Sequence, residues 1–457
     1  MGYMRLIFTF IIAVTVLFVS GCNTSTQPPE KSRKPIDTTV SRKLSVVSAA
    51  FLSPEMEQAR QETHNSTIEF TKDGSGVVYI EPVKDKFRVV HNGKTGNPYL
   101  AISELSISSD GKRVAYVARI SDSTYKMVID SKEGLPFGAN DNHWFTPDGK
   151  HHLSTVTEGD NRYIVIDNKV NHDYRMEQGL VISPDSSALA FSIKSPDGNS
   201  KQLIITDIEL KNKKVFDSCG EYIVPNDDTS LLAVVCSEGG KGSVKVIDFL
   251  NRTVISDSKY DGTITHLRFS PDNRSWAYTY FKSEKQRYIV CNGREEQIPV
   301  GDEFLSEPLV LSDPESVGVI IGDVFEARLH RAFQKQNKDG KGYGYTSDFV
   351  SSKDRRHYAF IAVNHNEERQ YIVVDGNEGI KFDKIVSPVF SPDGKFLVYR
   401  ARQSGKRFIV ISDLNGKIIR QHRYYDMVFQ PIFVDDGKSV AYIVLDGNEF
   451  WWKVEKL

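Results

Sequence analysis

The sequence predicts an all-β fold built from repeated units, and two observations carry this prediction. Short turn motifs of the form Ser-Pro-Asp-Gly recur along the chain, and an apolar, β-branched run typical of a strand follows each one. From Asp73 to Asp436 the motif takes nine steps over 363 residues, a mean spacing of about 40. A period of this length is typical of stacked supersecondary units.

Each motif is a turn for a clear physical reason. Proline presets the first corner of a β-turn, aspartate bonds back to the nearby backbone, and glycine completes the turn. A further copy at 195–198 follows Asp185 too closely to fit the period. The motif therefore predicts a turn, and only its spacing predicts the repeat. Clear copies in register occupy 108–111, 146–149, 183–185, 270–272 and 391–394.

Each repeat holds material for four short strands, which is the content of one propeller blade. The sequence thus predicts a β-propeller of four-stranded antiparallel blades, with one ring favoured over two and about eight to ten blades. The weakest repeat lies at 310–348, and the chain ends on only a third strand. We expect residues 44–47, Leu-Ser-Val-Val, to supply the missing outer strand and close the ring.

The recurrent Ser-Pro-Asp-Gly-Lys, followed by an Ala-Tyr or Val-Tyr strand, resembles the WD-repeat-like blades of TolB-type bacterial propellers. Similar blades occur in the propeller half of prolyl oligopeptidases. The resemblance covers about residues 65–457 and rests on the period more than on any single copy.

The N-terminus predicts an export signal. Residues 6–20 are apolar and follow Arg5, and a helix of that length rises about 22 Å, which is too short to span a bilayer. Residues 19–22, Val-Ser-Gly-Cys, resemble the lipobox of bacterial lipoproteins. The resemblance implies that a signal peptide, residues 1–21, is removed and that Cys22 carries acyl chains such as palmitate.

Residues 22–43 are polar and predict a flexible tether from the lipidated cysteine to a propeller at 44–457. In an enterobacterial host, the resemblance with Asn23 after the cysteine implies sorting to the outer membrane, with the propeller on the periplasmic side or at the surface. In a host with one membrane, the anchor would lie in the outer face of the plasma membrane.

Composition and motifs exclude several classes of function. The 58 basic and 60 acidic residues leave no basic excess for a nucleic-acid backbone. A GxSxG hydrolase elbow is absent from the sequence, and nothing in it predicts a catalytic residue, a cofactor or a metal site. The adjacent His151 and His152 follow a turn, so we expect a surface pair.

Two further sets of residues are candidates, one for a disulfide and the other for a binding surface. Cys219 and Cys236 flank a turn symmetrically, so they predict either a cross-strand disulfide or two buried thiols. Arg162, Arg287 and Arg407 begin third strands, where they would recur around one rim. That rim is either a binding face for acidic groups or ordinary charge capping of solvated loops.

The sequence therefore predicts a lipid-anchored envelope propeller that binds or scaffolds a protein or polysaccharide partner. The alternative is a propeller hydrolase or lyase whose acids and bases are scattered over several blades, since such a site leaves no local motif. Histidines and carboxylates converging in the channel would favour the enzyme, and an aromatic-rimmed face would favour the binding module.

Overall fold

The computed structural model describes residues 40–44, 67–71, 73–137, 140–238, 241–311, 316–323, 326–334 and 339–457. These residues belong to one unit, Asp37–Leu457. Cys22, the signal peptide and residues 22–39 of the tether lie outside them. Within the described part of the chain, no helix has the length and apolar character needed to cross a membrane.

The described residues form antiparallel sheets, and we call each four-stranded unit a blade. The first strand of the chain is β1 (Val40–Lys43). Blades 1 and 2 follow it, with strands β2 (Ile68–Phe70), β3 (Val77–Val83), β4 (Lys86–His91), β5 (Lys94–Thr95), β6 (Ala101–Ile107), β7 (Val114–Arg119), β8 (Tyr125–Ile129) and β9 (Lys132–Phe137).

Blades 3 and 4 merge into one seven-stranded sheet because they share a long strand. Their strands are β10 (Asn140–Phe145), β11 (His152–Glu158), β12 (Asn161–Ile166), β13 (Lys169–Ile182), β14 (Ala188–Lys194), β15 (Lys201–Asp207) and β16 (Lys213–Phe216). The first half of β13 pairs with β12 and the second half pairs with β14. One strand thus serves as the fourth of blade 3 and the first of blade 4.

Blades 5 and 6 are regular four-stranded sheets, whereas the first strand of blade 7 is interrupted. Their strands are β17 (Cys219–Pro225), β18 (Leu231–Glu238), β19 (Lys241–Asp248), β20 (Thr253–Tyr260), β21 (Thr263–Phe269), β22 (Trp276–Ser283), β23 (Gln286–Cys291), β24 (Arg294–Gln297), β25 (Glu303–Phe304), β26 (Leu309–Val310), β27 (Val317–Gly322), β28 (Ala327–Ala332) and β29 (Asp339–Tyr343). Both β25 and β26 pair with β27.

Blades 8 and 9 are regular, and blade 10 again has an interrupted first strand. A single 3-10 turn, Asp435–Gly437, follows that strand. The strands are β30 (Tyr345–Ser351), β31 (Tyr358–Val363), β32 (Tyr371–Val374), β33 (Asn377–Glu378), β34 (Lys384–Phe390), β35 (Leu397–Gln403), β36 (Lys406–Ser412), β37 (Ile418–Gln421), β38 (Met427–Val428), β39 (Ile432–Val434), β40 (Ser439–Asp446) and β41 (Glu449–Lys456).

Strand β1 completes blade 10 by pairing antiparallel with β41, so the two ends of the chain share one sheet. The sequence correctly predicted that the N-terminal segment supplies this strand but placed it at 44–47. Pairing instead starts at Val40, within the expected tether, and Leu44 is the buried residue that follows it. The described residues thus hold ten four-stranded units, the upper end of the expected range.

Neighbouring blades share apolar cores, and this relation closes on itself. Ile68 and Tyr79 of blade 1 pack in one cluster with Met427 and Ile443 of blade 10. Second and third strands such as β7 and β32 are buried along most of their length because they are covered on both faces. Their near-continuous apolar sequences follow from this double covering.

The recurrent turns are held by one hydrogen-bond pattern. In blade 4, the Ser183 hydroxyl donates to Asp185 at 2.7 Å and accepts from the Ala188 backbone N–H at 2.8 Å. Equivalent hydrogen bonds, backbone and side-chain, lower the pKa of Asp73 and of Asp110 to about 2. The aspartates are thus used by the turns themselves.

Candidate functional site

A β-bulge in the first strand recurs four residues before the turn. It lifts one residue out of the ladder in several blades, as at Glu104, Asp348 and Ser387, whose φ angles are 52°, 52° and 54°. A bulge re-aims side chains and is common beside functional sites. The bulged residue differs from blade to blade, so the fold requires the bend but does not require a particular side chain there.

The first strands of blades 8, 9, 10 and 1 line one cavity of about 890 Å³, which we call the central cavity. In these four blades the first strand lies against the cavity, and we call the first strand of every blade its inner strand. Its polar and charged lining residues include Glu69, Ser347, Asp348, Gln370, Lys384, Ser387, Arg400 and Gln430.

A second cavity, of about 620 Å³, lies along the inner strands of blades 6 to 8. Tyr345, Ser347 and Asp348 line both cavities, so β30 borders both of them. The Arg268 guanidinium faces the Glu307 carboxylate there at 3.4 Å.

Several polar groups of the central cavity are engaged by the protein. The Arg400 guanidinium, which is 4% exposed, donates to the Val428 carbonyl at 3.1 Å and to the Ser387 hydroxyl at 3.0 Å. The Gln370 side-chain oxygen accepts from the Ile385 backbone N–H at 2.7 Å. These groups hold the wall together.

Three other polar residues of the central cavity, Tyr345, Asp348 and Gln430, make no side-chain hydrogen bond or ion pair with any residue that the structure describes. Tyr345 is 56% exposed at the start of β30, and Asp348 and Gln430 are also exposed. Together they present a phenol, a carboxylate and an amide to the cavity. No motif marks these three residues in the sequence: Tyr345 and Asp348 lie on β30 of blade 8, and Gln430 lies in blade 10.

The three predicted arginines occupy equivalent positions, each being the second residue of a third strand. Arg162 donates to the Thr155 hydroxyl at 3.1 Å, and Arg287 donates to the Glu303 carboxylate at 3.0 Å. Arg407 is only 3% exposed and donates to the Asp426 carbonyl at 2.8 Å. Each therefore has a partner within the protein, and a binding role for their rim stays a prediction.

Cys219 and Cys236 lie directly opposite each other on β17 and β18, and the structure joins them in a disulfide. Both are buried, and they staple the inner strand of blade 5 to the next strand. Cys291 is a buried thiol outside this disulfide.

The expected surface pair His151–His152 is wrong for its second member. His151 binds the Asp167 carboxylate at 2.7 Å, whereas His152 is 1% exposed and its Nε2 lies 2.9 Å from Nδ1 of His143. Burial lowers the pKa of His143 to about 4, and that of His152 to about 3 with help from the nearby His143 and Arg113. Strand alternation turns the two neighbouring side chains to opposite faces.

Two other histidines meet carboxylates inside the blades. His422 lies 2.7 Å from Glu455, and His330 lies 2.8 Å from Asp339. Burial would raise the pKa of Glu455, but hydrogen bonds from His422 and Arg420 outweigh it and hold that pKa below its usual value. The described residues that line the two cavities include no histidine, and no set of three ligands with metal geometry occurs in the described part.

Comparison with known proteins finds propellers among solved structures. A eukaryotic initiation factor is 13% identical, covering 77% of this chain and 97% of its own, with a TM-score of 0.43. The Dos1 propeller is 13% identical, covering 69% and 93%, with a TM-score of 0.38. TolB from Acinetobacter baumannii is 15% identical, covering 67% and 76%, with a TM-score of 0.28.

These likenesses concern the fold alone. No family model matches the sequence, and no curated protein matches it. The β-propeller assignment rests on the four-stranded blades and their closed cycle of shared cores.

Proposed function

We propose that this protein is a lipid-anchored propeller of a bacterial envelope that binds its partner at the central cavity. The observation that carries the proposal is the inner wall formed by Tyr345, Asp348 and Gln430, whose side chains the fold does not use. Concave sites with a few convergent polar groups are where proteins bind ligands.

Binding is favoured over catalysis by the placement of the acids and bases. The His422–Glu455 pair is buried between two blades, and His330 is buried within blade 7 beside the exposed Asp339, so both pairs link strands outside the central cavity. A general acid or base must reach the reacting atoms of a substrate in the cavity. The exposed side chains of the cavity lining are one aromatic ring, one amide and one carboxylate, those of Tyr345, Gln430 and Asp348, and no described lining residue is a histidine.

The direction of the N-terminal strand β1 indicates the side of the propeller at which a tether from a lipid anchor would attach. Val40 pairs with Val454 near the end of blade 10 that carries the turns, and Arg42 donates to the Asp73 carbonyl in the turn of blade 1 at 3.2 Å. A tether from Cys22 would reach the propeller on this side. The turns would then face the membrane, and the opposite mouth of the cavity would face the partner.

The test is in-cell photo-crosslinking from a benzoylphenylalanine placed at position 345 or, as control, at position 222. Tyr222 is 53% exposed on the inner strand of blade 5 and lines neither cavity. We expect a discrete adduct from position 345 only. Equal labelling from both positions, or none, would contradict binding at the central cavity.

The anchor is tested separately by mass spectrometry of the mature N-terminal peptide. We expect acyl chains on Cys22 in the native chain, and release of Cys22→Ser from the membrane fraction. An unmodified Cys22 would remove the lipid-anchor part of the proposal.

A further inference from the structure

We infer that the central cavity binds an uncharged glycan chain through Tyr345, Asp348 and Gln430. This inference rests on the proposed function and gives its partner a chemical class. It follows from the exposed polar groups of the cavity, from its half-buried apolar lining, from its balance of charges and from the second cavity beside it.

The apolar residues of the cavity lining are buried or half-buried between blades, with Phe70, Val386 and Trp452 among the half-buried ones. Ile68, Ile385 and Phe429 line it but are only 5%, 1% and 8% exposed. A peptide ligand gains most of its affinity from apolar or aromatic anchors in apolar pockets. Apart from Tyr345, no apolar or aromatic residue of the described lining is exposed, so an apolar anchor of a peptide would meet only half-buried side chains.

Tyr345 is the exception, since more than half of its surface is exposed within a wall of polar groups. A tyrosine ring offers an apolar face beside a hydroxyl that donates and accepts. That combination suits a sugar ring, whose C–H face packs on the aromatic ring while its hydroxyls reach polar neighbours.

Asp348 and Gln430 supply those polar neighbours. A carboxylate accepts two hydrogen bonds from adjacent hydroxyls, and an amide accepts one and donates another. Buried under a ligand, these groups need partners, and a polyhydroxylated chain provides them without carrying charge.

The charges of the wall favour a ligand without net charge. Two carboxylates, Glu69 and Asp348, share the cavity with two cations, Lys384 and Arg400. Opposite charges in such numbers leave no strong field to attract an ionic chain.

The extent of the site indicates a chain rather than a single sugar. The β30 wall borders cavities of about 890 and 620 Å³, and Tyr345 and Asp348 line both. A ligand centred on this wall can therefore extend along inner strands from blade 6 to blade 1.

The experiment titrates the full chain, in a detergent without a sugar headgroup, with cellotetraose, chitotetraose and laminaritetraose by calorimetry. We expect at least one to bind, with Tyr345→Ala and Asp348→Asn each weakening binding tenfold or more. Asparagine tolerates the left-handed φ of position 348, so this variant changes charge without straining the backbone. The matched controls Tyr222→Ala and Glu221→Gln, on the inner strand of blade 5, should stay within twofold.

Failure of all three sugars to bind, or equal weakening by the control variants, overturns the glycan inference. Binding of octalysine in place of the sugars does so too. A protein adduct from position 345 together with no sugar binding would reject the glycan and leave the proposed function standing. If no adduct forms from position 345, the proposed function itself is rejected.

Discussion

The turns and the inner wall use the same kind of side chain in opposite ways. In the blade 3 turn, Asp148 accepts hydrogen bonds from the Thr146 hydroxyl at 2.6 Å and the Lys150 backbone N–H at 3.1 Å, and these hold its pKa well below the usual range. On the wall, Asp348 makes no side-chain hydrogen bond or ion pair with any described residue.

This difference shows that the fold uses the turn residues for its architecture and leaves the bulge positions available for recognition. Residues that recur at the repeat period, such as the turn serines and aspartates, satisfy the backbone in blade after blade. The bulge position recurs as a bend but changes its residue, from Glu104 to Asp348 to Ser387. A recurrent bend whose side chain varies from blade to blade is a place where a propeller can acquire a binding site without losing stability.

The largest effect should come from acid, acting on the buried pair His143–His152. Their folded pKa values, about 4 and 3, lie below the unfolded value near 6.5, so only the unfolded chain gains protons as pH falls below 6.5. Stability is therefore full above that pH and declines below it, by about 2 kcal/mol per histidine at pH 5. Urea unfolding at pH 7 and pH 5 measures this.

The matched controls change one histidine set at a time. His143→Gln with His152→Gln should flatten the pH dependence, whereas His172→Gln, at an exposed ion pair with Glu158, should leave it intact. Equal stability of the native chain at pH 7 and pH 5 would contradict the buried pair.

The next effect comes from the Cys219–Cys236 staple. Its partners are 17 residues apart, and closing a loop of that length stabilises a fold by about 3 kcal/mol. Replacing both cysteines by alanine should lower the free energy of unfolding by roughly that amount. Cys291→Ala, which removes a buried thiol outside the disulfide, should cost about 1 kcal/mol, and a larger loss there than in the double variant would contradict the stabilising role of the disulfide.

A smaller effect separates the in-register turn from the copy at 195–198. Ser183 is fully buried, and Ser183→Ala removes hydrogen bonds to Asp185 and the Ala188 N–H, at a cost of about 1–2 kcal/mol. Ser195 makes equivalent hydrogen bonds in the exposed hairpin between β14 and β15. Ser195→Ala should cost less than half as much in thermal or urea unfolding, and equal losses would show that register does not matter.

The sequence predicted those features that depend on local chemistry. The Ser183–Asp185 turn and the buried run of β7 follow from turn geometry and from apolar residues close in the chain. The disulfide was one of two open alternatives because Cys219 and Cys236 face each other across a short hairpin. The weakest repeat in sequence, 310–348, contains strands β27 to β29 of blade 7, which the structure nevertheless pairs as in the other blades.

Features built from distant residues escaped prediction. The His143–His152 contact joins strands of blade 3, and the His143 ring also meets the Glu104 carbonyl of blade 2, 39 residues away. The central cavity brings together residues of four blades, such as Tyr345 and Gln430, for which no spacing rule exists. The ring closes at Val40 instead of Leu44 because the register with β41 decides it.

The most direct test of the central claim compares Asp148→Asn and Asp348→Asn by urea unfolding in one buffer. We expect Asp148→Asn to lose about 1–2 kcal/mol, because it weakens charge-assisted hydrogen bonds, while Asp348→Asn unfolds like the native chain. A loss at Asp348 as large as that at Asp148 would show that the wall carboxylate serves the fold, and would contradict its assignment to ligand binding.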